Sequence, residues 1–190
     1  MKKIGILSSY NGSGYITLDS ACKSGILDAK IVVVITNNSK ANVIASARKR
    51  NTPVFVINNN IFPNEDLDEK IINIFEEYEC DFIFLSGYMK KIEAKLIKKY
   101  KNKIINSHPA LLPKFGGKGM YGRFIHEKVI NAKESISGVT IHFVNKEYDK
   151  GEFIIQNSIN IEKNCTVDIL EENIKKLEST SIIEAFKKLL

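Results

Sequence analysis

The sequence predicts a single-domain α/β fold over residues 1–190, a doubly wound and mostly parallel sheet with a long C-terminal helix. Two patterns predict it. Apolar, β-branched runs alternate with helical patterns through the first hundred residues, and no repeat, low-complexity tract or linker-like stretch interrupts them. Strands are expected near 3–8, 31–36, 54–57, 82–85 and 104–107. Helices are expected between them, near 15–24, 41–50, 66–79 and 91–100. The third carries Leu67, Ile71, Ile74, Phe75 and Tyr78 along one face. Four such crossovers favour parallel neighbours, because parallel strands need long connections. After the glycine-rich GGKGMYG (116–122) come a short helix near 121–132 and two β-rich runs, SGVTIHFV (137–144) and EFIIQNSINI (152–161). The final helix starts near Val167.

A chain of this length buries a full hydrophobic core without disulfides or metals. Cys22, Cys80 and Cys165 are odd in number and form no CxxC, so neither a disulfide framework nor a zinc site is expected. The opening MKKIGILSSYNGSG begins like a signal peptide, but its apolar run stops at Ser8 and Ser9. No stretch approaches the ~20 apolar residues of a membrane span. The expectation is a soluble, cytoplasmic protein that binds no membrane.

The net charge of +6, from 28 basic and 22 acidic residues, raises the question of nucleic acid. Lysine clusters in MKKIEAKLIKKYKNK (89–103), where Ile92, Leu96 and Ile97 fall at helical spacing and the lysines take the other positions. That is a solvated helix face. Arginine appears only at 48, 50 and 123, and no aromatics interleave with the lysines as a base-stacking surface requires. No nucleic-acid partner is expected.

Two stretches carry chemistry. In INSHPALLPKF (105–115), Pro109 biases His108 toward extended backbone, and residues two apart in a strand share a side. Asn106 and His108 therefore face one spot with an amide and an imidazole. In SSYNGSGY (8–15), Asn11, Gly12, Ser13 and Gly14 join the first strand to the first helix. Such a turn offers backbone N–H groups and a helix start to an anion, or is simply the turn every βα unit needs. It matches neither GxGxxG nor GxxxxGK[ST], so as an anion site it suits a phosphate monoester. Both stretches end parallel strands, the edge where open α/β sheets bind ligands. Asp149, in HFVNKEYDKGEFIIQ (142–156), is either a turn aspartate beside Gly151 or a carboxylate that favours the His108 imidazolium and relays a proton.

The chain resembles the phosphoribosylglycinamide formyltransferases, purine-pathway enzymes that use 10-formyltetrahydrofolate. The resemblance rests on ILSSYNGSG, LSGYMKKI, INSHPALLPKF and GVTIHFVNKEYDKGEFIIQ, in the family's order and spacing. It implies a Rossmann-like formyltransferase fold with Asn106, His108 and Asp149 as the catalytic trio. It implies that Asn11, Gly12, Ser13 and Gly14 bind the substrate phosphate and that Glu178 contacts the glycinamide. Met89, Lys90, Lys91 and Ile92, with the loop from Val144 to Asp149 and Asn106, would line the pterin pocket. The implied reaction is formyl transfer from 10-formyltetrahydrofolate to the amine of 5-phosphoribosylglycinamide, without a metal, by a monomer or homodimer. His126 and His142 are expected to be structural, one in the short helix and one in a strand, without partners at metal spacing.

The sequence departs from the family where Met89 is followed by Lys90 instead of arginine, Glu178 by Ser179 instead of histidine, and at Tyr10, Gly14 and Tyr15 in the first turn. Transferases acting on methionyl-tRNA or a sugar-nucleotide amine usually carry a further C-terminal domain, for which a chain ending at Leu190 is expected to leave no room. A formyltetrahydrofolate hydrolase would place a regulatory domain before the first strand. A sensor that kept the fold and lost the chemistry would not need Asn106, His108 and Asp149 together.

Overall fold

The computed structural model describes residues 1–190. Its elements are β1 (Lys2–Ser8), α1 (Ser13–Lys23), β2 (Ala29–Thr36), α2 (Val43–Lys49), β3 (Val54–Val56), α3 (Leu67–Glu77), β4 (Phe82–Leu85), α4 (Ala94–Lys99), β5 (Ile104–His108), α5 (Arg123–Asn131), β6 (Ile136–Phe143), β7 (Phe153–Asn160) and α6 (Val167–Leu189). Every expected element is present, with ends shifted by a few residues. The strands form one seven-stranded sheet in the order β3-β2-β1-β4-β5-β6-β7. The contacts divide the chain into two compact units, Met1–Ile105 with Leu190, and Asn106–Leu189.

In the first unit β1 pairs in parallel with both β2 and β4, and β2 with β3. The strand order reverses at β1 and β4, which creates the switch point beyond their carboxyl ends. Ile4, Ile6 and Leu7 of β1, Val33 to Ile35 of β2, and Ile83 and Phe84 of β4 are buried, as strands covered on both faces demand. Gly5 makes room for α3: a Cβ there would lie 2.5 Å from the Phe75 ring and 2.9 Å from Cys80 Sγ. The α3 start is capped by Asp66, whose carboxylate accepts the Glu69 N–H at 3.1 Å. Its end turns through Glu79 at φ 52°, and the Cys80 N–H then reaches back to the Phe75 carbonyl at 2.9 Å.

The lysine-rich face of α4 is exposed, but two of its lysines are engaged. Lys95 pairs with Asp66 and Lys99 with Glu76, so α3 neutralises part of the charge. No helix is long and apolar enough to cross a membrane. All three cysteines are free thiols.

In the second unit β6 and β7 form an antiparallel pair, with Thr140 opposite Gln156 and a register shift between Ile141 and His142. Helix α6 packs on both strands and on α5, burying Leu170, Ile174, Ile182, Ala185 and Phe186. Helix α5 starts two residues later than the sequence suggests because Gly122, at φ 56°, breaks the backbone path before Arg123. His126 lies in α5, the short helix, as expected; it is buried there and its Nδ1 has no hydrogen-bond partner.

Candidate active site

In the first unit, the turn after β1 carries Gly12 at φ 66°, ψ 38°, the left-handed region that glycine alone enters freely. A Cβ at Gly12 would also meet Val43 Cγ2 at 2.5 Å, so two independent constraints demand glycine. Asn11 Oδ1 accepts from Asn42 Nδ2 at 2.8 Å, which ties the turn to the start of α2. The Tyr15 N–H, in the first turn of α1, is taken by Ser86 Oγ at 2.9 Å. The amides of Ser13 and Gly14 belong to the same first turn, where helix geometry supplies no intrahelical acceptor.

The segment after β4 is fastened to the same edge. Ser9 Oγ donates to Asn37 Oδ1 at 2.6 Å and accepts the Met89 N–H at 2.8 Å, so one hydroxyl binds the ends of β1, β2 and β4. Met89, Lys90 and Lys91 are exposed while Ile92 is buried as an anchor. Burial pushes the neighbouring Tyr88 phenol up to about 12, with Asp68 adding in the same direction.

In the second unit, β5 ends in Asn106, Ser107 and His108, and the alternation of a strand separates their side chains. Asn106 and His108 turn to one side. Asp149 reaches the same place from the loop between β6 and β7, its Oδ2 3.7 Å from His108 Nδ1. The carboxylate is held by the Gly117 N–H, which donates to Oδ2 at 2.8 Å. His108 Nε2 donates to the Phe115 carbonyl at 2.8 Å, so both ring nitrogens face oxygen atoms. Phe115 at φ 54° and Asp149 at φ 56° are both left-handed, a conformation that costs an L-residue about 1–2 kcal/mol. Gly116 fits between them because a Cβ would strike Leu112 Cδ2 at 2.4 Å and approach Asp149 Cβ at 3.3 Å.

His142 also belongs here, which the sequence reading did not foresee. Its Nε2 lies 3.2 Å from Asn106 Nδ2 and 3.7 Å from Asp149 Oδ1. Its Nδ1 lies 2.9 Å from the Phe143 carbonyl. Burial lowers its pKa, against opposing contributions from the Phe143 carbonyl and Asp149, while His108 pushes in the same direction as burial. The available signal was the two-residue spacing of Thr140 and His142 in an otherwise apolar strand, the pattern that singled out Asn106 and His108.

Thr140 and Gln156 support the segment after His108. Thr140 Oγ1 donates to the Ala110 carbonyl at 2.7 Å and accepts the Leu112 N–H at 3.1 Å. Gln156 Nε2 reaches the Leu112 carbonyl at 3.0 Å and Thr140 Oγ1 at 2.9 Å. The Leu112–Pro113 bond in this segment is cis. The loop bearing Asp149 is bracketed by Asn145, which accepts the Glu147 N–H at 2.8 Å and donates to the Lys150 carbonyl at 3.0 Å. Gly151 closes it: a Cβ there would sit 1.5 Å from the Phe143 oxygen.

Glu178 of α6 stands apart from this cluster. It accepts from Ser107 Oγ at 2.5 Å, and Ser107 points to the opposite side of β5 from Asn106 and His108. Burial raises the Glu178 pKa, against opposing effects of the Ser107 hydroxyl and Lys175.

The sequence matches the formyl transferase family over residues 2–186. The chain belongs to that family. It is 34% identical to the phosphoribosylglycinamide formyltransferase of Haemophilus influenzae, over 94% of this chain and 82% of that one. The chloroplastic phosphoribosylglycinamide formyltransferase of Arabidopsis thaliana is 33% identical over 96% of this chain, which spans 63% of the plant protein's length. Glycinamide ribonucleotide transformylase 1 from Geobacillus kaustophilus superposes with a TM-score of 0.92 at 30% identity, covering 100% of this chain and 99% of that one. In this formyl transferase, Asp149 lies 3.7 Å from His108, His142 lies 3.2 Å from Asn106, and Glu178 accepts from Ser107.

Proposed function

We propose that this chain transfers the formyl group of 10-formyltetrahydrofolate to the amine of 5-phosphoribosylglycinamide in de novo purine biosynthesis. The observation that carries the reading is the Asp149 carboxylate facing His108 Nδ1 at 3.7 Å, on the side of β5 where Asn106 presents its amide. The amine attacks the formyl carbon and charge develops on the formyl oxygen. Asn106 N–H and His108 Nε2–H donate to that oxygen, and losing one such donor typically costs ~10²–10³ in rate. The His108 Nε2–H rests on the Phe115 carbonyl at 2.8 Å, so it must leave that carbonyl to donate to the substrate oxygen. Asp149 then helps move the proton lost by the attacking amine to the departing folate nitrogen.

The Asn11–Gly14 turn takes the phosphate monoester through backbone N–H groups at the α1 start. Glu178 contacts the glycinamide portion. Met89 to Ile92 and the loop from Val144 to Asp149 receive the pterin. Residues 1–190 act together as one formyltransferase domain, working in the cytoplasm, where free thiols persist. Mixing pure protein with both substrates and following tetrahydrofolate release tests the reading. Stoichiometric release that depends on the ribonucleotide is expected, and release without it, or with other amines equally well, would overturn it.

A further inference from the structure

The His142 ring is 2% exposed, lies on no expected substrate contact, and yet meets two of the three residues assigned to the chemistry. Its hydrogen bonds determine what it does. The Phe143 carbonyl oxygen can only accept, so the ring nitrogen 2.9 Å away, Nδ1, carries the proton. In the neutral ring Nε2 is then a lone-pair acceptor, and the group 3.2 Å from it is the Asn106 NH₂. An amide flipped end for end would set its oxygen against that lone pair. The ring therefore selects one of the two amide orientations, leaving the second amide N–H to point elsewhere.

Gly151 secures the arrangement from behind, since only a residue without Cβ allows the chain to pass the Phe143 oxygen on which the tautomer depends. The ionisable groups facing His142 are Asp149 from the β6–β7 loop, with Oδ1 at 3.7 Å, and His108 from β5. A proton on Nε2 would convert it from acceptor to donor. It would then oppose the Asn106 NH₂, favour the flipped amide, and pair with Asp149.

We propose that His142 is a positioning residue for Asn106: its Nε2 lone pair holds the amide with N–H toward the reacting oxygen, and protonation of the ring releases that hold. The proposal rests on the formyl-transfer reading above for its kinetic consequence, but the orientation itself is observable without substrate. Neutral His142 is favoured by burial and by His108, so the hold persists at neutral pH and fails on acidification below the ordinary histidine range.

The test has two arms. In the first, the Asn106 side-chain amide and the His142 ring are followed together by NMR from pH 8 to pH 4.5. The Asn106 NH₂ resonances are expected to shift with the His142 titration, and an amide that ignores that titration overturns the proposal whatever the enzyme's activity. In the second, kcat is measured across pH for His142→Ala, His142→Gln, Asn106→Ala and the double variant His142→Ala with Asn106→Ala. Misplacing a reacting group costs roughly 10²-fold, so His142→Ala should lose on that order in kcat with both KM values little changed. His142→Gln, which accepts through its side-chain oxygen and does not titrate, should recover most of the rate and lose less on acidification than wild type. The His142→Ala loss should vanish in the Asn106→Ala background. A loss of equal size in both backgrounds would show that His142 acts otherwise. If no variant, wild type included, transfers formyl, the functional reading fails while the NMR arm still decides this one.

Discussion

Ser107 Oγ donates to Glu178 Oε1 across 2.5 Å, placing a carboxyl whose pKa is raised by burial against the end of β5. A raised carboxyl favours its protonated form in the folded chain, while the unfolded chain ionises first as pH rises. The resulting stability is complete below the ordinary glutamate value of about 4.3 and is lost as pH climbs through the raised folded value. Glu178→Gln keeps an acceptor for Ser107 and has no charge to bury. Its melting temperature should exceed that of wild type at pH 8 and match it near pH 4, while KM for the ribonucleotide rises. Thermal scans at both pH values check this, and a lower melting temperature at pH 8 would refute it.

Thr140 provides a second probe because its hydroxyl satisfies two backbone groups at once, the Ala110 carbonyl and the Leu112 N–H. Thr140→Val keeps the shape and strands both in a buried setting. Each unsatisfied buried group costs about 1–3 kcal/mol. With two groups stranded, denaturant unfolding should show a loss of about 2–6 kcal/mol, and kcat should fall through displacement of the segment that follows His108.

Gly12 is constrained by both its backbone and Val43, so even alanine there is strained. The left-handed conformation alone costs about 1–2 kcal/mol. Gly12→Ala should unfold at lower denaturant concentration and raise KM for the ribonucleotide more than KM for the folate. Steady-state kinetics with each substrate varied in turn distinguishes these, and equal effects would argue against phosphate at this turn.

Asp149→Asn is nearly isosteric and can still accept the Gly117 N–H through its amide oxygen. The loop should stay in place, leaving the melting temperature almost unchanged. Only the charge facing His108 and His142 is lost. General acid–base assistance is worth ~10²–10⁴-fold, and kcat should fall within that range. A near-normal rate would remove Asp149 from the chemistry.

The strands and helices were legible because each depends on local periodicity: the first five strands read as apolar runs, and α3 as a stripe ending at Phe75 and Tyr78. Asn106 and His108 were legible for the same reason, being polar at a two-residue interval beside Pro109. His142 carried the same signal. It was read as structural because nothing local tells a strand that its polar residue will meet one from a neighbouring strand 36 residues earlier. The Ser107–Glu178 bond spans 71 residues and has no local trace at all. Resemblance supplied Glu178, and only the folded chain supplies its partner. Gly151 and Gln156 stood in the motif by spacing alone until the Phe143 oxygen and the Leu112 carbonyl gave each a physical reason to be there.

Asn145 closes its turn on itself with two hydrogen bonds, and the ion pair from Lys150 to Glu147 at 2.6 Å lies across the exposed tip. Lys146, Glu147 and Tyr148 therefore extend into water beyond a bracket that already fixes where Asp149 emerges. Sequence drift has room at that tip and almost none at its base. A fluorophore or spin label attached at position 146 would ride beside the Asp149 carboxylate without displacing it, giving a reporter of ligand arrival at this loop that leaves the carboxylate itself intact.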